Sequence, residues 1–420
     1  MSGRPVRVAI LGFGTVGSSL ARILWERQAQ DVELCCVFNR GVERKRVAGA
    51  PSSIRWTESF TDVLASRPEI VIEVAGGLEP AGEWVRKSLA AGKSVVTANK
   101  KLISVQGPAL EMLAREHGCQ LLYGAAVAGG VPVIPGLRQG LAGDRIQTLR
   151  GILNGTCNFI LSNMEAGMGF DAALEQAQAR GFAEADPTED VDGFDARAKL
   201  VILSRLGLRM EVQPEEIACR TIRDLSALDF AYARDLNCTI RQISRAEVRN
   251  RELLATVGPM LVPQSSPLSW SRGTENMVIS GGVYGGEIVF SGHGAGGNPT
   301  AVAVLSDVLT IAHGGCPVAI TSSQAKVDSD FIVPHYIRFV VDDQPGIIAQ
   351  IAGHLAEQQI NINAILQKPG FDKMRLPFVV TVEPCRSSAL KKALGKVAQL
   401  GCLQEPPLDL EMLETESSGS

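Results

Sequence analysis

Between residues 181 and 200 the chain reads GFAEADPTEDVDGFDARAKL, and this stretch gathers side chains that could do chemistry. Asp195 and Lys199 are four residues apart. If Asp192 caps a helix entering DARAKLVILSRL, the two lie one turn apart on one face. Glu184 and Asp190 fall in the loop before it. A carboxylate beside an ammonium can hold a zwitterionic substrate and still deliver a proton. The same spacing also describes a solvated i,i+4 ion pair, so the pair acquires meaning only from its surroundings.

Those surroundings begin at the N-terminus. Val6–Leu11 is an apolar, β-branched run that leads into Gly12-Phe13-Gly14-Thr15-Val16-Gly17 and then a helical stretch at 18–28. Strand, G-x-G-x-x-G and helix is the arrangement a dinucleotide fingerprint requires. Gly12 permits the tight turn, Gly14 lets the backbone approach a pyrophosphate, and Gly17 lets helix and strand pack closely. The unpaired N–H groups at the helix start face the negative charge. The next strand, Val32–Phe38, ends in Asn39-Arg40, with Arg44, Lys45 and Arg46 following. An NAD-selective site would place an acid there for the ribose 2′-OH. Cations stand in its place, which favours NADP, with NAD as the alternative. Solvation of a loop accounts for residues 44–46 as well, but less readily for Arg40.

The alternation continues. Residues 69–74 read as a strand ending in Ala75-Gly76-Gly77, 80–91 as a helix, Ser94–Thr97 as a strand, 106–117 as a helix and 120–123 as a strand. Alternating strands and helices predict a doubly wound parallel sheet, a Rossmann-type α/β fold. Ligands sit off the carboxyl ends of such strands. Thr97-Ala98-Asn99-Lys100-Lys101 lies at one of them, so the lysine pair is a site candidate by position, or a charged helix entry.

Length and charge agree with a multidomain enzyme or binding protein. The chain has 420 residues, 45% of them hydrophobic, and a net charge of −4. That is long for one core, and it carries no electrostatic footprint for nucleic acid or membrane. No apolar run approaches a bilayer span, and the first residues lack a secretion signal. Nine cysteines without ligand spacing read as reduced thiols of a cytoplasmic protein. The tail 411–420 reads as polar and disordered.

Several stretches together resemble the homoserine dehydrogenases: GFGTVG, TANKK at 97–101, VAGGVPVI at 127–134, NGTCNFIL at 154–161, the 181–200 block, and GHGAGGNPTAVAVLSD at 292–307. The resemblance implies nicotinamide-dependent interconversion of L-aspartate 4-semialdehyde and L-homoserine, in threonine, methionine and isoleucine biosynthesis. It implies that Glu184 binds the substrate ammonium and that Asp195 binds the polar end while orienting its neighbour. Lys199 would donate the proton, with Lys100 facing it, and Thr97, Gly181 and Gly296 would join the cofactor site. The chemistry suits these residue types, because hydride attack on an aldehyde creates an alkoxide that needs a positive donor. The resemblance also implies a sodium ion on backbone carbonyls at Val127, Gly129 and Val131. Gly124 stands where the family commonly has an acid, so the anionic ligand is missing from that run.

The domain limits expected are 1–145 for the nucleotide domain, completed by about 296–320, and 146–295 for an α+β catalytic domain with strands at 147–153, 276–280 and 287–290. The latter would carry the interface of a homodimer or homotetramer. Beyond a polar linker at 322–330, residues 331–410 give strand, helix, two strands and helix around an Asp343-Gln344-Pro345-Gly346 turn. This resembles the ACT regulatory domain and implies an amino-acid effector, L-threonine, at Asp343, Pro345 and Gly346, with Asn361 and Gln367 nearby. Removing it should leave a folded, active remainder. Two other readings compete. A semialdehyde dehydrogenase would acylate Cys157, which has no basic partner nearby in sequence. A non-enzymatic amino-acid sensor would not need the Glu184, Asp195 and Lys199 set.

Overall fold

The computed structural model describes residues 4–27, 31–45, 50–316 and 319–414. Its contacts divide the chain into two compact units. The first comprises Met1–Leu149, Arg197–Glu216 and Glu275–Ala325, and the second Arg150–Ala196, Ile217–Thr274 and Lys326–Ser420.

The first unit is built on six parallel strands: β1 (Val6–Leu11), β2 (Val32–Phe38), β3 (Arg55–Thr57), β4 (Ile70–Glu73), β5 (Ser94–Thr97) and β6 (Leu121–Leu122). They lie in the order β3-β2-β1-β4-β5-β6. The order reverses between β1 and β4, which opens a crevice beyond their carboxyl ends. Every residue of β4 is buried, as expected of a strand covered on both faces. The covering helices are α1 (Thr15–Arg27), α2 (Val42–Lys45), α3 (Phe60–Ala65), α4 (Ala81–Ala90) and α5 (Lys100–Glu116). The Gly297–Ala312 helix returns from late in the chain to the same core, where Ala301, Val304, Leu305 and Val308 pack with Val8, Leu20 and Leu24. The hairpin of Glu275–Gly282 and Gly286–His293 also belongs to this unit.

Helix α5 departs from the sequence expectation by starting at Lys100 instead of 106. Gly107-Pro108 reads as a breaker, yet both residues lie inside the helix. A side chain on Gly107 would collide with the Arg205 guanidinium. That guanidinium donates to the carbonyls of Ile103 (3.1 Å) and Ser104 (3.4 Å). Pro108 has no N–H to offer Ser104, four residues back. Arg205 supplies the missing donor, and Glu211 holds its Nε at 2.9 Å.

In the second unit Cys238–Arg249 pairs antiparallel with Glu252–Pro263 over their full lengths. The two connecting residues, Asn250 and Arg251, both have positive φ, as a two-residue hairpin turn with right-handed strand twist requires. The C-terminal segment forms Ile332–Val341, the helix Ile347–Ala356, Ile362–Gln367, Leu376–Arg386, the helix Ser387–Val397 and Leu408–Met412. This β-α-β-β-α-β order completes the mixed α/β architecture. The tail is not coil from 411 onward. Leu408–Met412 is a strand between Glu252–Pro263 and Ile332–Val341, with Glu411 only 6% exposed.

Side chains alternate across that sheet. Ile337, Phe339 and Val341 face a core with Ile347, Ile351, Leu355 and Leu390 from its helices. Tyr336, Val379 and Leu410 belong to another core, shared with Phe159, Ile160, Met164, Phe230 and Leu261. Tyr336 donates its hydroxyl to buried Asp229 at 2.9 Å, and Tyr232 donates to the Pro377 carbonyl at 3.1 Å. The segment beyond 330 therefore shares a core with the Gly155–Glu165 helix and the Glu252–Pro263 strand, which argues against the expectation that its loss is harmless.

Candidate active site

Each part of the first unit's crevice is set by a local rule. After β1 the chain turns at Gly12, whose φ is +102°, and a Cβ there would stand 2.8 Å from the Ala75 backbone. A Cβ on Gly17 would strike the Gly12 carbonyl. Both glycines are demanded by the protein itself. Gly14 differs: its Cβ would meet nothing within 4 Å. The fold does not explain that glycine, but a ligand that approaches the loop backbone does. Phe13 turns inward against Trp56, and its N–H donates to Asn39 Oδ1 at 3.1 Å. Asn39 thus braces the glycine loop from the end of β2, and Arg40 beside it is exposed.

A second loop follows β4. Glu73 is fully buried, and its carboxylate accepts from the N–H groups of Ala75 (2.9 Å) and Gly76 (2.8 Å) and from the Thr97 hydroxyl (2.5 Å). Thr97 is consequently an internal brace. Asn99 caps α5 by accepting from Leu102 N–H at 3.1 Å, and it donates to the Gly77 carbonyl at 2.6 Å. These bonds set Lys100 at the first position of α5, beside the loop. The third wall comes from Ala128 and Gly129, at φ of +57° and +51°, and from Gly294, Ala295 and Gly296. Gly296 precedes the Gly297–Ala312 helix. A side chain on Gly297 would stand 2.5 Å from Ser19 Oγ, so that helix starts close against α1.

The result is a cleft of about 380 Å³. It brings together Thr15, Val16, Lys100, Gly129, Lys199 and Gly296 of the residues singled out from sequence, and adds Ala75, Gly76, Asn99, Gly294, Ala295 and Thr300. Three helices begin at its edge, and their N-terminal N–H groups favour an anion. Two lysines, Lys100 and Lys199, supply positive charge at the same place. Gly12, Phe13, Gly14, Gly17 and Thr97 shape the cleft without lining it. Neither Arg40 nor Val127 nor Val131 lines it. Arg46 lies outside the described residues, as does the side chain of Arg44.

Gly124 has a compensating neighbour. Asp307 accepts its N–H at 2.6 Å, and a Cβ at Gly124 would sit 2.9 Å from one carboxylate oxygen of Asp307 and 3.0 Å from the other. Burial pushes the Asp307 carboxyl up to about 6, against the pull of Gly124 N–H and Arg138. A carboxylate is present here, supplied by another part of the chain. Among the described residues no group of three or more His, Cys, Asp or Glu side chains could hold a metal.

In the second unit Asp192 does not cap the Phe194–Leu203 helix. It ends the short helix Thr188–Val191, accepting from Thr221 Oγ1 (2.7 Å) and Arg223 Nε (3.1 Å). Gly193, at φ +86°, then reverses the chain into the helix that bears Asp195 and Lys199. Asp195 is 5% exposed and accepts from Asn154 Nδ2 at 2.8 Å. Glu184 and Gly181 lie on the exposed loop after the Phe170–Ala179 helix, where Gln178 Nε2 holds the Glu184 carbonyl at 3.0 Å. Cys157 is fully buried and its thiol donates to the Asp190 carbonyl at 3.1 Å, which leaves no approach for a substrate. Asp343, Pro345 and Gly346 form an exposed turn, with Gly346 at φ +94° heading the Ile347–Ala356 helix. Asn361 is held by Glu383 at 3.0 Å.

Comparison with known proteins gives one answer at each level. The family model for homoserine dehydrogenase matches residues 132–309, the NAD-binding domain of homoserine dehydrogenase matches 12–124, and the ACT domain matches 335–402. A homoserine dehydrogenase of Synechocystis is 36% identical, covering 97% of this chain and 99% of that protein. One from Bacillus subtilis is 34% identical, covering 90% and 92%. A homoserine dehydrogenase structure from Thiobacillus denitrificans superposes with a TM-score of 0.90 at 31% identity, over 98% of this chain and 99% of that one. A hyperthermophilic archaeal homoserine dehydrogenase in complex with NADPH covers 75% of this chain and all of its own, with a TM-score of 0.65 at 28% identity.

Proposed function

The chain belongs to the homoserine dehydrogenase family, and from that premise we propose how its own residues carry the reaction. It is an oxidoreductase with a nicotinamide cofactor, interconverting L-aspartate 4-semialdehyde and L-homoserine in amino-acid biosynthesis. The observation that carries the reading is the presence of Lys100 and Lys199 in one cleft with the glycine loop. The Gly12–Gly17 loop, Ala75-Gly76 and the start of the Gly297–Ala312 helix would hold the cofactor. Bound there, the nicotinamide supplies or accepts the hydride.

The remaining work falls to side chains. Lys199 protonates the substrate oxygen as negative charge develops on it, and Lys100 adds positive potential at the same atom. Glu184 takes the substrate ammonium, and Asp195 fixes its polar end and the Lys199 side chain in register. Gly181 adds backbone to the cofactor site. NADP is the preferred cofactor: Asn39 is occupied in bracing the glycine loop, and exposed Arg40 stands at the end of β2, where an NAD-selective site would carry an acid. The direct test is formation of NADPH from L-homoserine and NADP. No homoserine-dependent reduction of either cofactor would sink the reading.

A monovalent ion such as sodium would sit against the Val127, Gly129 and Val131 carbonyls, where left-handed Ala128 and Gly129 bend the chain and Asp307 contributes charge nearby. L-Threonine is the proposed effector, taken up at the Asp343, Pro345 and Gly346 turn. Its binding would favour one subunit arrangement over another. Calorimetry at millimolar threonine, with initial rates alongside, tests this; no heat and no rate change would remove it. We assign the enzyme to the cytoplasm: none of the nine cysteines forms a disulfide, and no helix among the described residues is long and apolar enough to cross a membrane. It would act as a homodimer or homotetramer, joined through the Gly286–His293 strand, where Ile288 and Val289 are exposed. In functional terms residues 1–145 with about 296–320 bind the nucleotide, 146–295 the substrate, and 331–410 the effector.

A further inference from the structure

Asn154 stands at the head of the Gly155–Glu165 helix and is 3% exposed. Its Oδ1 accepts from Cys157 N–H at 2.8 Å, which caps the helix. Its Nδ2 donates to Asp190 Oδ1 at 2.6 Å and to Asp195 Oδ2 at 2.8 Å. One amide therefore spends an acceptor on the helix and a donor on each of two carboxylates. Those carboxylates sit on different short elements, with left-handed Gly193 between them. Like charges this close repel, and the shared donor ties the two carboxylates to one point. Aspartate, asparagine and serine are close to equal as helix caps. Only asparagine can cap and also donate twice.

We propose that Asn154 is a positioning residue for the reaction: it holds Asp195 in one register with Asp190, so that Asp195 meets the polar end of the substrate. The inference rests on the reading that Asp195 binds substrate. Asn154 itself need not touch the substrate. The three residues lie in the second unit, on segments whose positions relative to each other are set by these bonds and by the Gln242 Nε2 and Cys157 Sγ contacts to the Asp190 carbonyl.

The equality of caps makes the proposal testable. Asn154→Ser keeps the cap and loses the double donor. Its melting temperature should fall, because two carboxylates lose a donor, while its KM for homoserine should rise about tenfold or more and its KM for NADP should stay unchanged. Asn154→Asp keeps the cap but sets a third carboxylate against the pair, so its KM for homoserine should rise further. Pairing Asn154→Asp with Asp190→Asn returns one amide to the cluster and should recover part of that loss. Unchanged homoserine KM in both single variants would overturn the proposal and leave Asn154 a plain cap. If Asn154→Asp does not fold, folding of the paired variant supports the repulsion argument, and its failure to fold refutes it. Asp195→Asn separates the two levels: wild-type kinetics there would refute the substrate-binding reading itself, whatever the Asn154 variants do.

Discussion

Replacing Asp307 with asparagine removes a charge that the folded protein holds at a cost. Burial raises the carboxyl from 3.8 to about 6, which corresponds to about 3 kcal/mol against the folded state at neutral pH. Below pH 4 the group is protonated in both folded and unfolded chains, and there is no cost. Between pH 4 and 6 the unfolded chain ionises first, so stability falls as pH rises. Above pH 6 the cost is complete. Asparagine keeps an acceptor for Gly124 N–H, so the bond of 2.6 Å survives in kind. Asp307→Asn should therefore be more stable at pH 7.5 by about 1–3 kcal/mol, allowing for the nearby Arg138, and should gain almost nothing at pH 4. At roughly 2–4 °C per kcal/mol for a unit of this size, thermal unfolding across pH 4–8 in sodium-free buffer resolves the difference. Adding sodium should narrow the gap if a cation answers the carboxylate. A variant no more stable than wild type at pH 7.5, or equally favoured at pH 4, would show the burial argument to be wrong.

Three further outcomes follow from the site and the cores. Lys199→Met should lower turnover by about 10²–10⁴-fold with little change in NADP binding; retention of more than about a tenth of wild-type turnover would exclude Lys199 as the proton donor. Arg40→Ala should raise the KM for NADP about tenfold or more and leave that for NAD nearly unchanged, and equal losses would place its action on the fold instead. Deleting residues from 331 onward should yield insoluble protein or a sharply lowered melting temperature. The cut strips cover from Phe230, Ile240 and Leu261, each contributing about 1.5–3 kcal/mol when buried; a soluble, cooperative remainder would contradict the shared core.

The nucleotide-binding half was largely legible because strand, glycine loop and helix are local signals with fixed offsets. β3 escaped because three residues, Arg-Trp-Thr, carry no periodicity. The early start of α5 was hidden by Gly107-Pro108, whose cost is met by Arg205 from about a hundred positions away. Asn99 and Asn154 could have been found, since each is a capping residue directly before a helix. The long hairpin at 238–263 was missed because its turn is Asn-Arg, without the glycine that usually marks such turns, and because buried Arg241 interrupts the apolar pattern. Its partner Glu165, at 2.8 Å, lies on a distant helix. Sequence marks Gly124 as lacking an acid, while the carboxylate that fills the gap comes from residue 307. Long-range compensation of this kind leaves no local trace.

The sharing of one apolar core by the C-terminal sheet and the Gly155–Glu165 helix also constrains how end-product control could be lost. If an amino acid acts through the exposed turn at 343–346, relief from it cannot arrive by frameshift or nonsense changes near residue 330, since those would take the enzyme with them. Selection for overproducing cells would instead recover point changes at exposed positions such as Asp343 and Gly346, which belong to neither core. The spectrum of escape alleles would be narrow and almost wholly missense.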